Sequence, residues 1–147
     1  MKPNLILLWI IVLCGYTGGL VVAQSNLDVE ISNIRNKKGQ LCVGLFTDEA
    51  SFKTGKMFWR MKYSKKNVVD GKFRIQIPIH PGRYGLSVLD DENMNAKMEY
   101  NMLGIPSEGF GFSNYYLKGL HKPTFSDFDF IIEKDETKTL IVRMKYL

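Results

Sequence analysis

The sequence predicts an all-β fold, an antiparallel β-sandwich of about seven short strands with one long ordered loop. Apolar and polar residues alternate in several short segments, which is the period of a half-buried strand. Glycine, proline, asparagine and aspartate separate these segments at regular intervals. No stretch of useful length repeats its apolar residues with the period of a helix, so the sequence excludes a helical domain.

The first residues have the pattern of a secretory signal peptide. Lys2 precedes an apolar run from Leu5 to Leu13, and small residues lead to Ala23 before the chain becomes polar. We predict a signal peptide over 1–24 and one sandwich domain over 25–147. The segment up to Ala23 nearly reaches the length that spans a bilayer, so an uncleaved anchor is the alternative. We expect a secreted or periplasmic protein with no membrane span after cleavage.

The charge is mild and distributed along the chain. The whole sequence has 20 basic and 15 acidic residues, and removal of Lys2 with the leader leaves a net charge of +4. We interpret the lysines as solvated strand faces and turns rather than a nucleic-acid surface, and we expect no nucleic-acid partner. Cys42 is the single cysteine after the leader, which excludes an intramolecular disulfide and favours a buried small hydrophobe.

The first strands follow directly after the leader. Leu27 to Ser32 alternates, Asn36 to Gly39 has turn chemistry with a positive φ expected at Gly39, and Gln40 to Thr47 alternates again. These segments predict a hairpin of two strands. The connection Asp48 to Gly55 predicts one helical turn, with Thr47 or Asp48 as its cap and Phe52 packed on the core.

The central strands are separated by a tight turn. Met57 to Tyr63 predicts a strand, and Asp70-Gly71 is a tight-turn dipeptide. Phe73 to Ile79 is the clearest amphipathic strand of the chain. Pro78 lacks an amide hydrogen for a strand neighbour, which predicts an edge strand or the end of the strand.

The remaining strands complete two layers. His80 to Arg83 predicts a turn in which Gly82 takes a positive φ, and Tyr84 to Asp90 predicts the next strand. Phe125 to Ile132 and Leu140 to Tyr146 predict the last two strands. Short strands with regular turns and no repeat unit indicate a two-sheet sandwich of the immunoglobulin-like or transthyretin-like kind.

The segment from Asp90 to Tyr116 has neither a helix nor a strand period. Such a long irregular segment is uncommon in a compact domain and is usually a functional loop or disordered. Its aromatic residues and glycines argue against disorder. We therefore predict a functional loop on an ordinary scaffold.

The acidic part of this loop has oxygen-bearing side chains at alternate positions. Asp91, Asn93, Asn95, Lys97 and Glu99 occupy places one, three, five, seven and nine of a loop like that of an EF-hand. The sixth place lacks the expected glycine and the twelfth lacks the closing glutamate, so the strict motif fails. A weak calcium site is one interpretation; the other is a turn whose Asp and Asn side chains bond their own backbone. No other cofactor is predicted.

The second part of the loop alternates glycines with aromatic residues. Phe110, Phe112, Asn114, Tyr115 and Tyr116 form the candidate ligand-binding set, because flat rings on a glycine-rich backbone can stack on a sugar or hold a peptide. Alternatively, Phe110 and Phe112 turn inward and fix the loop on the sandwich. We favour this structural role, because several exposed rings without a partner promote aggregation.

The sequence offers no constellation typical of a catalytic site. His80 and His121 are the histidines, both in turns, and neither has further ligands at zinc-binding spacing. No Gly-x-Ser-x-Gly elbow, phosphate loop or Cys-His pair is present. We therefore expect that the protein is not an enzyme. A hydrolase that uses Asp91 or Glu99 with His121 is the alternative.

Several short motifs follow one another along the chain: Ile34-Arg35 with Lys38-Gly39-Gln40, Val43-Gly44-Leu45-Phe46, Pro81-Gly82-Arg83-Tyr84, the acidic block from Asp90 to Lys97, Leu103-Gly104-Ile105-Pro106 and the run from Glu108 to Asn114. In this order they resemble the motifs of a bacterial family, domain of unknown function 2141 (DUF2141). The resemblance implies an exported β-sandwich domain with no established activity. Relatives commonly have a glycine where this chain has Ala96, which weakens an inherited metal site.

Together these observations predict an exported, non-catalytic module of the cell envelope or extracellular space. Its expected partner is an envelope or extracellular protein or a glycan, contacted through residues 90–116. The alternative is a carbohydrate- or small-ligand-binding protein that uses the aromatic residues of the loop.

Overall fold

The computed structural model describes residues 24–147, so the predicted signal segment lies outside the described residues except for Gln24. The strands are β1 (Ser25–Ser32), β2 (Gln40–Phe46), β3 (Trp59–Ser64), β4 (Phe73–Ile79), β5 (Gly82–Asp91), β6 (Gly109–Phe112), β7 (Asp129–Ile132) and β8 (Thr137–Arg143). One α-helix, α1, spans Glu49–Thr54, and 3-10 helices span Lys65–Asn67 and Phe125–Asp127. Over the described range, no helix has the length and apolar character needed to cross a bilayer.

The strands form two sheets, and the predicted all-β sandwich is confirmed. Sheet A has the order β4-β1-β8, and sheet B has the order β3-β2-β5-β6. The long strand β5 pairs with β7 along its first half and with β6 along its second half. Strands β1 and β8 run parallel, whereas the other paired strands in the described range are antiparallel.

The alternation of β1 and β4 places their apolar side chains in the core. Leu27, Val29 and Ile31 of β1 are almost fully buried between the sheets. Leu27 and Val29 lie opposite the buried Ile77 and Ile75 of β4, and Ile31 lies opposite Phe73. Strand β4 forms one edge of sheet A. This position explains how Pro78 is tolerated, because one side of an edge strand has no hydrogen-bonded neighbour that would need the missing amide hydrogen.

The predicted hairpin of the first two strands is wrong. Strand β1 pairs with β4 and β8 in sheet A, whereas β2 pairs with β3 and β5 in sheet B. The segment 33–39 carries the chain from one sheet to the other, with positive φ at Asn33 and at Gly39. Alternation specifies which side chains face the core, but it does not specify which strand lies alongside.

The short helix and the Asp70-Gly71 turn agree with the sequence. The Asp48 side chain accepts a hydrogen bond from the Ser51 amide, Gly55 ends the helix in the left-handed conformation, and Phe52 is buried. Asp70 and Gly71 both have positive φ, as a type I′ turn requires.

Two backbone predictions after residue 80 are wrong. Gly82 lacks a positive φ, because it already begins β5 and pairs with Ile132 of β7. The segment 90–116 is not irregular throughout, because Gly109–Phe112 forms β6 against the end of β5. The irregular excursion is therefore shorter, from 92 to 108.

Candidate ligand-binding groove

Two glycines of β6 determine which way the aromatic residues of this strand point. A β-carbon at Gly109 would overlap the Tyr146 ring, and one at Gly111 would lie 2.6 Å from Cγ1 of Val142. The glycines thus face the sandwich interior, where only a hydrogen fits. Phe110 and Phe112 consequently lie on the outer face of sheet B. Phe110 is nevertheless buried, with only 8% of its surface exposed, because the neighbouring loops cover it.

The residues directly after β6 hold it to both sheets. The Ser113 hydroxyl donates to the Phe128 carbonyl at 2.6 Å and accepts from the Leu86 amide at 3.0 Å. The Asn114 amide donates to the Ile141 carbonyl of β8, and its side-chain oxygen accepts from the Ile141 amide at 2.9 Å. The predicted ligand-binding residue Asn114 therefore uses its amide oxygen to bind the backbone of β8.

An apolar groove lies above this outer face, with a volume of about 400 Å³. Its floor is formed by β5 and β6, one wall by the long loop, and the other wall by the segment after β6. The floor residues include Ser87, Leu89, Phe110 and Phe112; the walls include Ala96, Met98, Tyr100, Gly104 and Pro106 on one side and Leu117, Leu120, His121, Lys122 and Pro123 on the other; Phe52, Met57 and Leu147 also line it. The volume lies within the range of small-molecule sites.

The long-loop wall is held by its own backbone. Tyr100 and Pro106 form an isolated antiparallel bridge. Between them, the Asn101 side-chain oxygen accepts from the amides of Leu103 and Ile105 at 2.9 and 3.0 Å. This wall is therefore an ordered turn and not a loose segment.

The acidic block forms the base of the same loop. Asp91 is fully buried, and its carboxylate accepts from the amides of Asn95 and Ala96 and from the Gln40 side chain. The Asn95 side chain accepts from the Lys97 amide and donates to Glu99, while the Asn93 side chain accepts from the Asn95 amide. These bonds are those of the predicted self-bonded turn. Residues 24–147 contain no group of three or more His, Cys, Asp or Glu side chains that could hold a metal ion.

A family model described as an uncharacterized protein conserved in bacteria (DUF2141) matches residues 29–140. The chain belongs to this family. The resemblance read from its motifs is thereby confirmed. No curated protein and no solved structure matches the chain.

In this DUF2141 domain, the five candidate ligand-binding residues separate into different places. Phe110 and Phe112 line the groove, and Tyr115 packs beside the aromatic cluster of Phe46, Phe52, Phe125 and Phe128. Asn114, Tyr115 and Tyr116 line a second, shallow depression together with Ile141 and Arg143, and the Arg143 guanidinium lies 4.7 Å from the centroid of the Tyr116 ring. The groove therefore brings together two of the five predicted residues and adds aliphatic residues from both walls.

The basic groups of the groove lie on one wall. Lys122 Nζ is 4.8 Å from the centroid of the Phe52 ring, a cation–π distance. The Lys122 charge contributes to a lowered pKa of Glu49, whose largest cause is the hydrogen bond from the Phe125 amide. The groove thus has an apolar lining with one lysine ammonium, that of Lys122, over the Phe52 ring.

A buried ion pair that no sequence pattern indicates holds the base of the long loop in the DUF2141 domain. Lys65 and Asp90 are both fully buried, with 2.5 Å between Nζ and the carboxylate. Asp90 also accepts from the Tyr146 hydroxyl at 2.6 Å, and Lys65 also donates to Asn36 at 3.1 Å. Lys65 resembles its solvated neighbour Lys66 in sequence, so no local signal identifies it as buried.

Two further titratable groups lie near the strands of the groove floor: Cys42 pairs with Leu89, and Glu108 directly precedes β6. Cys42 is only partly buried, although the sequence predicted a buried residue. Burial raises the pKa of the Cys42 thiol to about 11, and the neighbouring Asp91 carboxylate adds to this effect. Glu108 is 5% exposed, and its carboxylate oxygens have no hydrogen-bond partner among the described residues. Burial, together with the charge of Asp91, raises the pKa of Glu108.

Proposed function

We propose that this protein is a non-catalytic binding module that takes a small apolar ligand in the groove on the outer face of sheet B. The observation that carries the proposal is the groove itself, an apolar site of about 400 Å³ lined by residues of two loops. One of these loops is held as an ordered turn by Asn101. A preformed site loses little conformational entropy when its ligand binds.

The chemistry of the lining supports an apolar ligand over a free glycan. Side-chain polar groups in the groove come from Ser87, Tyr100, His121 and Lys122, whereas most other lining residues are aliphatic or aromatic. Sugars need many directed hydrogen bonds, and a site for them presents more polar side chains than this. The predicted alternative, a glycan stacked on loop aromatics, has less support from this lining.

The arrangement of the candidate acids and histidine supports a binding role over hydrolysis. Asp91 is occupied by four donors from the loop and from β2, and Glu99 accepts from Asn95. His121 lines the groove, whereas Asp91 and Glu99 do not. A general base must lie within hydrogen-bond reach of the proton it takes, and these groups form no such pair.

Export is part of the proposal and rests on the predicted signal peptide. Its test is fractionation of cells that express the full chain, with the mature mass determined by mass spectrometry. In the extracytoplasmic fraction, we expect the mass of a chain that begins near residue 24 or 25. Retention of the full chain in the cytoplasm would contradict this part.

The groove is tested by titration with a dansyl-labelled undecyl alcohol, followed by dansyl emission. Leu120→Ser and Tyr100→Ser each remove part of a wall, and their side chains are exposed enough for the fold to tolerate the change. We expect the Kd to rise about fivefold for each substitution, because each removes apolar contact that contributes about 1 kcal/mol to the binding free energy. Ile131→Ser is the matched control, because Ile131 is 55% exposed on β7 and does not line the groove.

Two results would contradict the groove assignment. One is the absence of saturable binding by the wild-type protein. The other is an equal loss of affinity in Ile131→Ser. Saturable binding to a glycan array that depends on Tyr115 or Tyr116 would favour the carbohydrate alternative instead.

A further inference from the structure

The edge strand β3 leaves one side of sheet B open. Sheet B ends at β3, which pairs on one side with β2 and has no strand neighbour on the other side within residues 24–147. An open edge presents unpaired amides and carbonyls to which an extended chain can pair. None of the residues of β3 lines the apolar groove, so this surface is separate from the proposed ligand site.

The segment around β3 is basic throughout. Residues 50–69 contain six lysine or arginine residues and no aspartate or glutamate. Lys65 is paired with Asp90, and Lys53 is paired with Glu49. In the described chain, the other four basic residues have no carboxylate within 4.0 Å; these are Lys56, Arg60, Lys62 and Lys66.

The two faces of β3 differ in chemistry. Arg60 and Lys62 lie opposite Gly44 and Cys42, which places them on the outer face of the sheet. The other face carries Trp59, Met61 and Tyr63, which lie opposite core residues of β2.

The apolar face of β3 is incompletely covered. Met61 is 48% exposed although it lies opposite the buried Val43. Trp59 and Tyr63 are only partly buried against the core. An additional strand beside β3 would therefore meet basic groups on one face and apolar groups on the other.

We propose that β3 binds an extended segment of a partner protein whose residues alternate between acidic and apolar. Successive side chains of a strand point to opposite faces, so the acidic ones would meet Arg60 and Lys62 while the apolar ones meet Met61. The main-chain hydrogen bonds of strand addition would supply affinity, and this alternation would supply specificity. Lysines on an edge strand also oppose pairing with a second copy, because the same basic residues would face each other.

The probe is a short peptide that alternates valine and glutamate, titrated into the full-length protein. Fluorescence anisotropy measures affinity, and hydrogen exchange measures protection of the β3 amides. We expect saturable binding with slower exchange in β3. A peptide with lysine in place of glutamate is expected to bind at least about tenfold more weakly. The same peptide N-methylated at alternate residues keeps its charges but loses ladder donors, and it is expected not to bind.

The protein variant is Arg60→Glu with Lys62→Glu, and the matched control is Lys118→Glu with Lys134→Glu. Both pairs replace two exposed basic residues by acids, and the control residues lie outside β3. We expect about a tenfold rise in Kd for the first pair and less than about twofold for the second.

Three results would overturn the proposal. If the N-methylated peptide bound the wild-type protein as tightly as the unmodified peptide, charge attraction without strand pairing would explain the binding. Concentration-dependent self-association that protects β3 without peptide would make a second copy the occupant. Binding to vesicles of anionic lipid without binding to the peptide would make a membrane surface the partner.

Discussion

Replacement of Lys65 by methionine tests whether the buried ion pair stabilises the base of the long loop. Lys65 and Asp90 are both fully buried, and Nζ lies 2.5 Å from the carboxylate. Lys65→Met keeps a long unbranched side chain but removes the charge. Among residues 24–147, the Asp90 carboxylate then keeps only the Tyr146 hydroxyl as a side-chain donor. Removal of one partner from a buried pair costs about 3–5 kcal/mol, because the remaining charge is uncompensated.

The assay is urea unfolding at pH 7, followed by circular dichroism. A loss of about 3–5 kcal/mol is a large part of the roughly 5–15 kcal/mol by which domains are stable. Lys66→Met is the control, because Lys66 is exposed and its loss is expected to change the free energy of unfolding by less than about 0.5 kcal/mol. The double variant Lys65→Met with Asp90→Leu is expected to recover part of the loss, because it leaves no buried charge at this place.

A free energy of unfolding for Lys65→Met within about 0.5 kcal/mol of the wild-type value would refute a stabilising role of the ion pair. A double variant less stable than Lys65→Met would also refute it. In that case, the carboxylate of Asp90 would contribute more through Tyr146 than through Lys65.

Three further predictions concern Gly109, Cys42 and Glu108. Gly109→Ala is expected to lower the free energy of unfolding, measured in urea, by more than about 2 kcal/mol, because a β-carbon there overlaps the Tyr146 ring. An unchanged urea midpoint would contradict the close approach of the Gly109 backbone to this ring. In a Cys14→Ser background, Cys42 is expected to react with iodoacetamide about a hundredfold more slowly at pH 7 than a thiol of ordinary pKa, since its pKa is raised to about 11. A rate like that of free cysteine would contradict the raised pKa. Glu108→Gln is expected to raise the urea midpoint at pH 7, because the raised pKa of Glu108 means that its charged form destabilises the native state. This gain should vanish below pH 4.5, the ordinary pKa of a glutamate, where the Glu108 carboxyl is neutral in the folded and in the unfolded protein.

Strands that alternate strictly could be predicted from the sequence, and their partners could not. The isoleucines of β4 and the apolar residues of β1 face the core as expected. The pairing of β1 with β8 joins segments more than 100 residues apart, and the alternation in either strand contains no information about that pairing. The same limitation produced the wrong hairpin between β1 and β2.

The candidate site was predicted in part, because the loop was found but its architecture was not. The run from Gly109 to Phe112 has no polar residue, so it lacks the alternation that identifies a strand. Its glycines contact Tyr146 and Val142, which lie far along the chain, and this packing appears only in three dimensions. Leu120 and Lys122 were missed as groove residues because they lie in an ordinary turn sequence.

The position of β1 has a consequence for when the domain acquires its structure. This strand is at the centre of sheet A, between β4 and β8, and its pairing with β8 extends to Arg143. Sheet A therefore cannot be complete until β8, more than 100 residues after β1, has been synthesised. Such long-range closure makes folding slow. We expect β1 to stay without one of its two neighbours during synthesis until β8 has emerged.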